Sequence, residues 1–177
     1  MKVLTIALAV VAMFALAACG GSSVAKGAEK TIEGDLEKQI GLGELTATCD
    51  EPDKNEAGQT FDCTATTEDG TKITFIGTMS EKDKFEVVTS NLLTIQDMDV
   101  LLPLLASSIA EVVGADVAVD DITCPEGNVV LDSDGNFPCE IVETATGDRF
   151  SLTVKTGGLE PGVGARDLGW EIGDKIN

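Results

Sequence analysis

The sequence predicts an α+β fold: a tandem repeat of two small domains, each one helix followed by a three- to four-stranded antiparallel meander with one internal disulfide. Three observations predict it. Cys49 and Cys63 stand 14 residues apart and Cys124 and Cys139 stand 15 apart. An apolar stripe at helical spacing precedes each pair, and the hydrophobic period switches to two after each stripe. The correspondence reaches beyond the cysteines. Cys49 maps to Cys124 at an offset of 75, Cys63 to Cys139 at 76, and Gly70–Phe75 to Gly147–Leu152 at 77. Small loop insertions make an offset creep in this way, the signature of an internal duplication.

The first eighteen residues have the three parts of a secretory signal. Lys2 is charged, Val3 to Leu16 is apolar except for Thr5, and small residues follow before Cys19. The apolar run is shorter than the roughly 20 residues of a membrane-spanning helix. Gly20 to Ala28 reads as a flexible tether that reaches about 30 Å when extended. The expected organisation is a signal at 1–18, a tether at 19–28, a first domain at 29–90, a linker at 91–97 and a second domain at 98–177.

The first helix is expected over about Lys26 to Ile40, with Ile32, Leu36 and Ile40 on one stripe and Gly41 and Gly43 ending it. The second is expected from about Leu101 to Val113, its stripe being Leu101, Leu104, Leu105, Ile109 and Val112, with Gly114 as the stop. Pro103 suits only a first turn, so this helix should begin just before it. Leu92 to Met98 is apolar and reads as a short lead-in helix. The strands follow from alternation: Phe61 and Cys63, Ile73 and Phe75, Phe85 and Val87 in the first half. Val117, Val119 and Ile122, then Phe137, Cys139 and Ile141, then Phe150, Leu152 and Val154 do the same in the second, with Trp170 and Ile172 closing it. Asp69-Gly70 and Thr146-Gly147 mark hairpins.

A duplicated domain that folds by itself needs its own bridge, which selects Cys49–Cys63 and Cys124–Cys139 from the three pairings four cysteines permit. Free thiols or a four-cysteine metal site fit poorly with spacings that lack Cys-x-x-Cys. A closed loop of about 15 residues is worth roughly 3 kcal/mol in the chain-entropy estimate, a useful staple for a small domain.

Charge and composition exclude whole classes of function. Without residues 1–18 the chain keeps 11 Lys+Arg against 31 Asp+Glu, a formal charge of −20, because Lys2 is the one charge lost. Such a surface repels nucleic acid and anionic headgroups. There is no histidine, which removes the commonest general base and most zinc sites. With no tyrosine and only Trp170, stacking surfaces are scarce. No enzymatic activity, cofactor or resident metal is expected. Asp132-Ser133-Asp134-Gly135-Asn136, with Glu143 at the twelfth position, has the look of a calcium loop. Phe137 stands where an EF-hand needs glycine, so a plain turn is the expectation. Lys72 and Arg149 share one repeat position and are expected to pair with acids on neighbouring strands.

Leu16-Ala17-Ala18-Cys19 resembles the bacterial lipobox. That resemblance implies a lipid on Cys19, cleavage before it, and a lipid-anchored chain on the extracytoplasmic face of the cell membrane. Val113-Gly114-Ala115-Asp116-Val117 leading to Ile122-Thr123-Cys124-Pro125, then Gly135-Asn136-Phe137-Pro138-Cys139 and Thr146-Gly147, is similar to the actinobacterial domain of unknown function 4333. The first half departs from it, with Cys49-Asp50-Glu51-Pro52 in place of Cys-Pro. That family implies small two-cysteine domains, often carried by envelope lipoproteins, and brings no activity and no site residues. The architecture is also similar to that of secreted β-lactamase inhibitory proteins. The expected function is a non-catalytic binding or interaction module that meets an envelope protein or ligand. The alternative is a secreted-type protein inhibitor or small-ligand carrier built on the same repeats.

Overall fold

A computed structural model describes residues 23–160, 164–165 and 167–176. The expected signal sequence and Cys19 therefore lie outside the described residues. The fold is α+β with antiparallel sheets and two disulfides. Two compact units are distinguished: the described residues up to Ser90, with Glu160, form one, and those from Asn91 to Leu159 and from Gly164 onward form the other.

The first unit opens with α1 (Val24–Thr31), continues through a π-helical turn (Ile32–Leu36) and ends with α2 (Glu37–Ile40). Ser23 caps it by accepting the Lys26 backbone N–H, and Gly41 closes it at φ 66° with its N–H on the Glu37 carbonyl. The flexible tether expected up to residue 28 is thus helical from Val24 onward. Ala25 and Ala28 are buried, so their methyl groups hold the first turns against the unit's core rather than leaving them to solvent.

Four strands follow as a meander: β1 (Leu45–Cys49), β2 (Thr60–Thr67), β3 (Lys72–Glu81) and β4 (Lys84–Thr89), ordered β1-β2-β3-β4. Alternation puts Leu45, Ala47, Cys49, Phe61, Cys63, Ala65, Ile73, Phe75, Met79 and Phe85 inside with Ile32 and Ile40. Leu36, expected on the same stripe, is only half-buried. Gly77 lies opposite Phe61 in the β2–β3 register, and the Phe61 ring covers it. A Cβ at Gly77 would sit 2.2 Å from that ring. Phe61 also meets Phe85 edge-on at 6.0 Å between centroids.

In the second unit, β5 (Leu92–Leu93) leads into α3 (Ile95–Val113). Of the lead-in helix expected over Leu92 to Met98, Ile95 to Met98 are the first turn of α3 itself, while Leu92 and Leu93 are extended and pair with β7 (Val129–Val130). The helix starts where Thr94 and Asp97 form a capping box, Thr94 Oγ1 accepting the Asp97 N–H at 3.2 Å and Asp97 accepting the Thr94 N–H at 2.8 Å. This strong start outweighs the break expected at Pro103, which sits mid-helix. Proline there forfeits one bond to the carbonyl four residues back, and that residue, Asp99, is exposed, so water reaches it. The stripe also differs from expectation. Met98, Leu101, Leu105, Ala106 and Ile109 are buried, while Leu104 and Val112 are 59% and 71% exposed. The sheet selects the face centred on Leu105, and Leu104 lies about 100° around the helix from it.

A 3₁₀ turn (Val119–Asp121) precedes β6 (Ile122–Thr123), and β8 (Asn136–Glu143), β9 (Asp148–Lys155) and β12 (Gly169–Ile176) complete a sheet ordered β12-β9-β8-β6. Between them β10 (Leu159–Glu160) pairs with β11 (Gly164–Ala165). Phe137, Ile141, Leu152 and Val154 face α3, and the Trp170 indole N–H donates to Ser108 Oγ on that helix at 3.0 Å.

Gly77→Ala should lower stability by about 1–3 kcal/mol, the range for overpacking a filled site, because the Phe61 ring must leave its place. Urea unfolding followed by circular dichroism measures it; an unchanged midpoint would show that the ring does not need the space.

Candidate functional site

The strongest polar constellation in the described residues lies where the first helix meets the sheet edge. Strand β1 is an edge strand: β2 pairs with one side of it, in the register Leu45↔Thr67 to Cys49↔Cys63. Its other side would expose the N–H groups of Leu45, Ala47 and Cys49. Three helix glutamates accept them. Glu37 Oε2 takes the Leu45 N–H at 2.9 Å, Glu33 Oε1 that of Ala47 at 2.9 Å, and Glu29 Oε1 that of Cys49 at 3.3 Å.

The spacing makes this arrangement work. Four helical residues rise about 6.0 Å, and two strand residues span about 6.6–6.8 Å. Glutamates four apart therefore meet alternate amides on a strand running the opposite way. Positions four apart drift by about 40° per step around an α-helix. The wider π turn at Ile32–Leu36 takes back part of that drift, which keeps Glu29, Glu33 and Glu37 in line. Charge is balanced locally at one end: Lys26 Nζ lies 2.6 Å from Glu29 Oε2. The Lys26 ammonium, and after it the Cys49 N–H, hold the Glu29 carboxyl below its usual range against the opposing effect of burial.

The four described cysteines are paired as the repeat spacing selects, Cys49 with Cys63 and Cys124 with Cys139. Both bridges cross from the first to the second strand of a meander. Cys49 and Cys63 face each other at 4.0 Å between Cα atoms, and Asp50 N–H bonds the Asp62 carbonyl beside them. That places the bridge at a non-hydrogen-bonded pair, where side chains stand closest. In the second unit, the register Ile122↔Ile141 and Thr123↔Glu140 leads to Cys124 opposite Cys139.

The remaining candidates resolve into structure. Asp132 Oδ1 accepts the N–H groups of Asp134 at 2.9 Å and Asn136 at 2.8 Å, a side-chain-closed turn. The Asn136 N–H is the chief cause of its lowered pKa. Arg149 pairs with Glu140 on the neighbouring strand. Lys72 is exposed opposite Thr66. Among the described residues no group of three or more His, Cys, Asp or Glu is placed to hold a metal ion. No helix among them is long and apolar enough to cross a membrane. One apolar surface stands out: α3 turns Ile95, Val100, Leu104, Val112 and Val113 to solvent.

Sequence reasoning, which took from this helix only the stripe Ile32, Leu36 and Ile40, missed the glutamate row. A signal was present. Like charges at i, i+4 and i+8 disfavour an isolated helix, and such a row needs partners elsewhere. Set against family models, curated proteins and solved structures, the chain matches none.

Glu33→Ala should cost on the order of 1–2 kcal/mol, since it strips the acceptor from the Ala47 amide while improving helix propensity. Glu111→Ala on the solvent side of α3 is the control and should be near neutral. Equal, negligible shifts in urea midpoint would sink the assignment. Acid should act in the same direction. The Glu29 pKa is depressed from its ordinary 4.5, so its contribution is present above that pH and is lost as pH falls through the lower folded value. Protection of the Cys49 amide, its exchange taken relative to the intrinsic rate at each pH, should therefore fall below about pH 4.5 before that of the second unit does.

Proposed function

We propose that this chain is a lipid-anchored envelope lipoprotein, held on the extracytoplasmic face of the membrane through Cys19, and that it serves as a non-catalytic interaction module. The observation that carries the reading is the cysteine arithmetic. Four cysteines are consumed in two disulfides, bonds that belong to an oxidising compartment, and the fifth is the one that follows Leu16-Ala17-Ala18. One acyl chain binds a membrane marginally and two bind durably; the lipobox modification supplies at least two.

The two units would then be copies of one ancestral domain resembling the domain of unknown function 4333. Each has a helix ahead of four antiparallel strands in meander order, with a bridge between the first two strands. The binding role is supported by the apolar side chains α3 leaves in solvent, Val100 and Leu104 among them at 65% and 59% exposure. Exposed apolar surface on a strongly acidic exported chain is a feature of interaction sites.

Cys19→Ala should release the protein from the membrane fraction into the soluble extracytoplasmic fraction. Retention of the variant after an alkaline wash would mean that the lipid is not the anchor.

A further inference from the structure

We propose that β1 is a latent strand-addition edge for a second copy of this chain, and that the helical segment Val24–Ile40, seated in the core by Ala28, Ile32 and Ile40 and joined to the strand by Glu29, Glu33 and Glu37, is its cover.

Apolar packing of Ala28, Ile32 and Ile40 sets how readily the cover leaves, and its bonds to the strand, which add to that hold, are of an unusual kind. In a sheet interior the amides of Leu45, Ala47 and Cys49 would bond to another strand's carbonyls. Here they bond to side-chain carboxylates, which can swing away without breaking any backbone ladder. The strand beneath does not depend on the cover for its place. β1 keeps its register with β2 from Leu45↔Thr67 to Cys49↔Cys63, and the disulfide fastens its far end. An uncovered β1 is therefore a fixed, straight template, the condition under which edge strands recruit partners.

The occupant is argued from the strand itself. Leu45-Thr46-Ala47-Thr48-Cys49 reads nearly the same in both directions. Antiparallel pairing of two copies about Ala47 sets Leu45 opposite Cys49, Ala47 opposite Ala47 and Thr46 opposite Thr48. The first two pairs are apolar and lie on the buried side, while the Thr pair lies on the exposed side. The same register brings the outward N–H groups of residues 45, 47 and 49 to the outward carbonyls of 49, 47 and 45, so all three donors find backbone acceptors at once. A shift of two residues either way loses a pair at each end.

The test uses the full chain in mild detergent with its disulfides intact. Glu29→Ala, Glu33→Ala and Glu37→Ala are combined, and protein mass is followed by light scattering across a concentration series. The triple variant should dimerise about a hundredfold more tightly than the parent, with the Leu45, Ala47 and Cys49 amides protected from exchange in the dimer only. Adding Ala47→Pro removes an outward N–H and leaves the β1–β2 ladder intact, so it should restore the monomer. A folded triple variant that stays monomeric overturns the proposal, as does a dimer that survives Ala47→Pro. Should the triple variant lose its circular dichroism, the single Glu33→Ala chain is read by the same two criteria.

Discussion

Backbone amides at a sheet edge must bond to something, and in the first unit that requirement organises everything around it. Leu45, Ala47 and Cys49 bond to carboxylates from a helix. The helix must then run alongside β1, keep its glutamates in line over two turns, and hold Ala28 and Ile32 in the core on its other flank. The π turn at Ile32–Leu36 reconciles these demands, because a uniform α-helix would rotate one row or the other out of place. Gly27 fits the same constraint: a Cβ there would come within 3.1 Å of Phe85, so the helix lies as close to the sheet as an aromatic ring permits.

The second unit meets the edge problem with other means. Its β6 is two residues long, too short to template a partner, and Cys124–Cys139 closes it onto β8. The opposite edge, β12, is long but interrupted, with a shift in its pairing to β9 between Ile172 and Lys175. Charges flank it, Lys155 with Glu171 and Lys175 with Asp148. A bulge and lysines are the usual defences of an exposed edge. These surface pairs contribute little stability; their value lies in discouraging association.

Much of this was legible in the residues. Period-two alternation located β2, β3, β8 and β9, since each buries one face. Gly41 and Gly114 marked helix ends because both adopt the left-handed conformation that glycine reaches without strain. The cysteines gave the bridges through the logic of repetition. What escaped depended on partners far along the chain. Glu29, Glu33 and Glu37 look solvated until β1 is set beside them. Pro103 looks like a helix start until the Thr94–Asp97 cap is weighed against it. Leu104 and Leu105 are alike in sequence, and only the position of the sheet decides which is buried. Strands of two residues, such as β5 and β7, carry no periodicity to read.

The start of α1 alters the physical situation of an anchored chain. Ser23 already caps a helix, which leaves four residue steps between it and Cys19, a span of at most about 14 Å. A lipid on Cys19 would then confine the first unit to a thin layer at the bilayer surface instead of letting it sweep a wide volume. Within such a layer copies of the chain encounter one another in two dimensions at high effective concentration. Contacts too weak to register in dilute solution would become populated there, and a leash that short would amplify affinity.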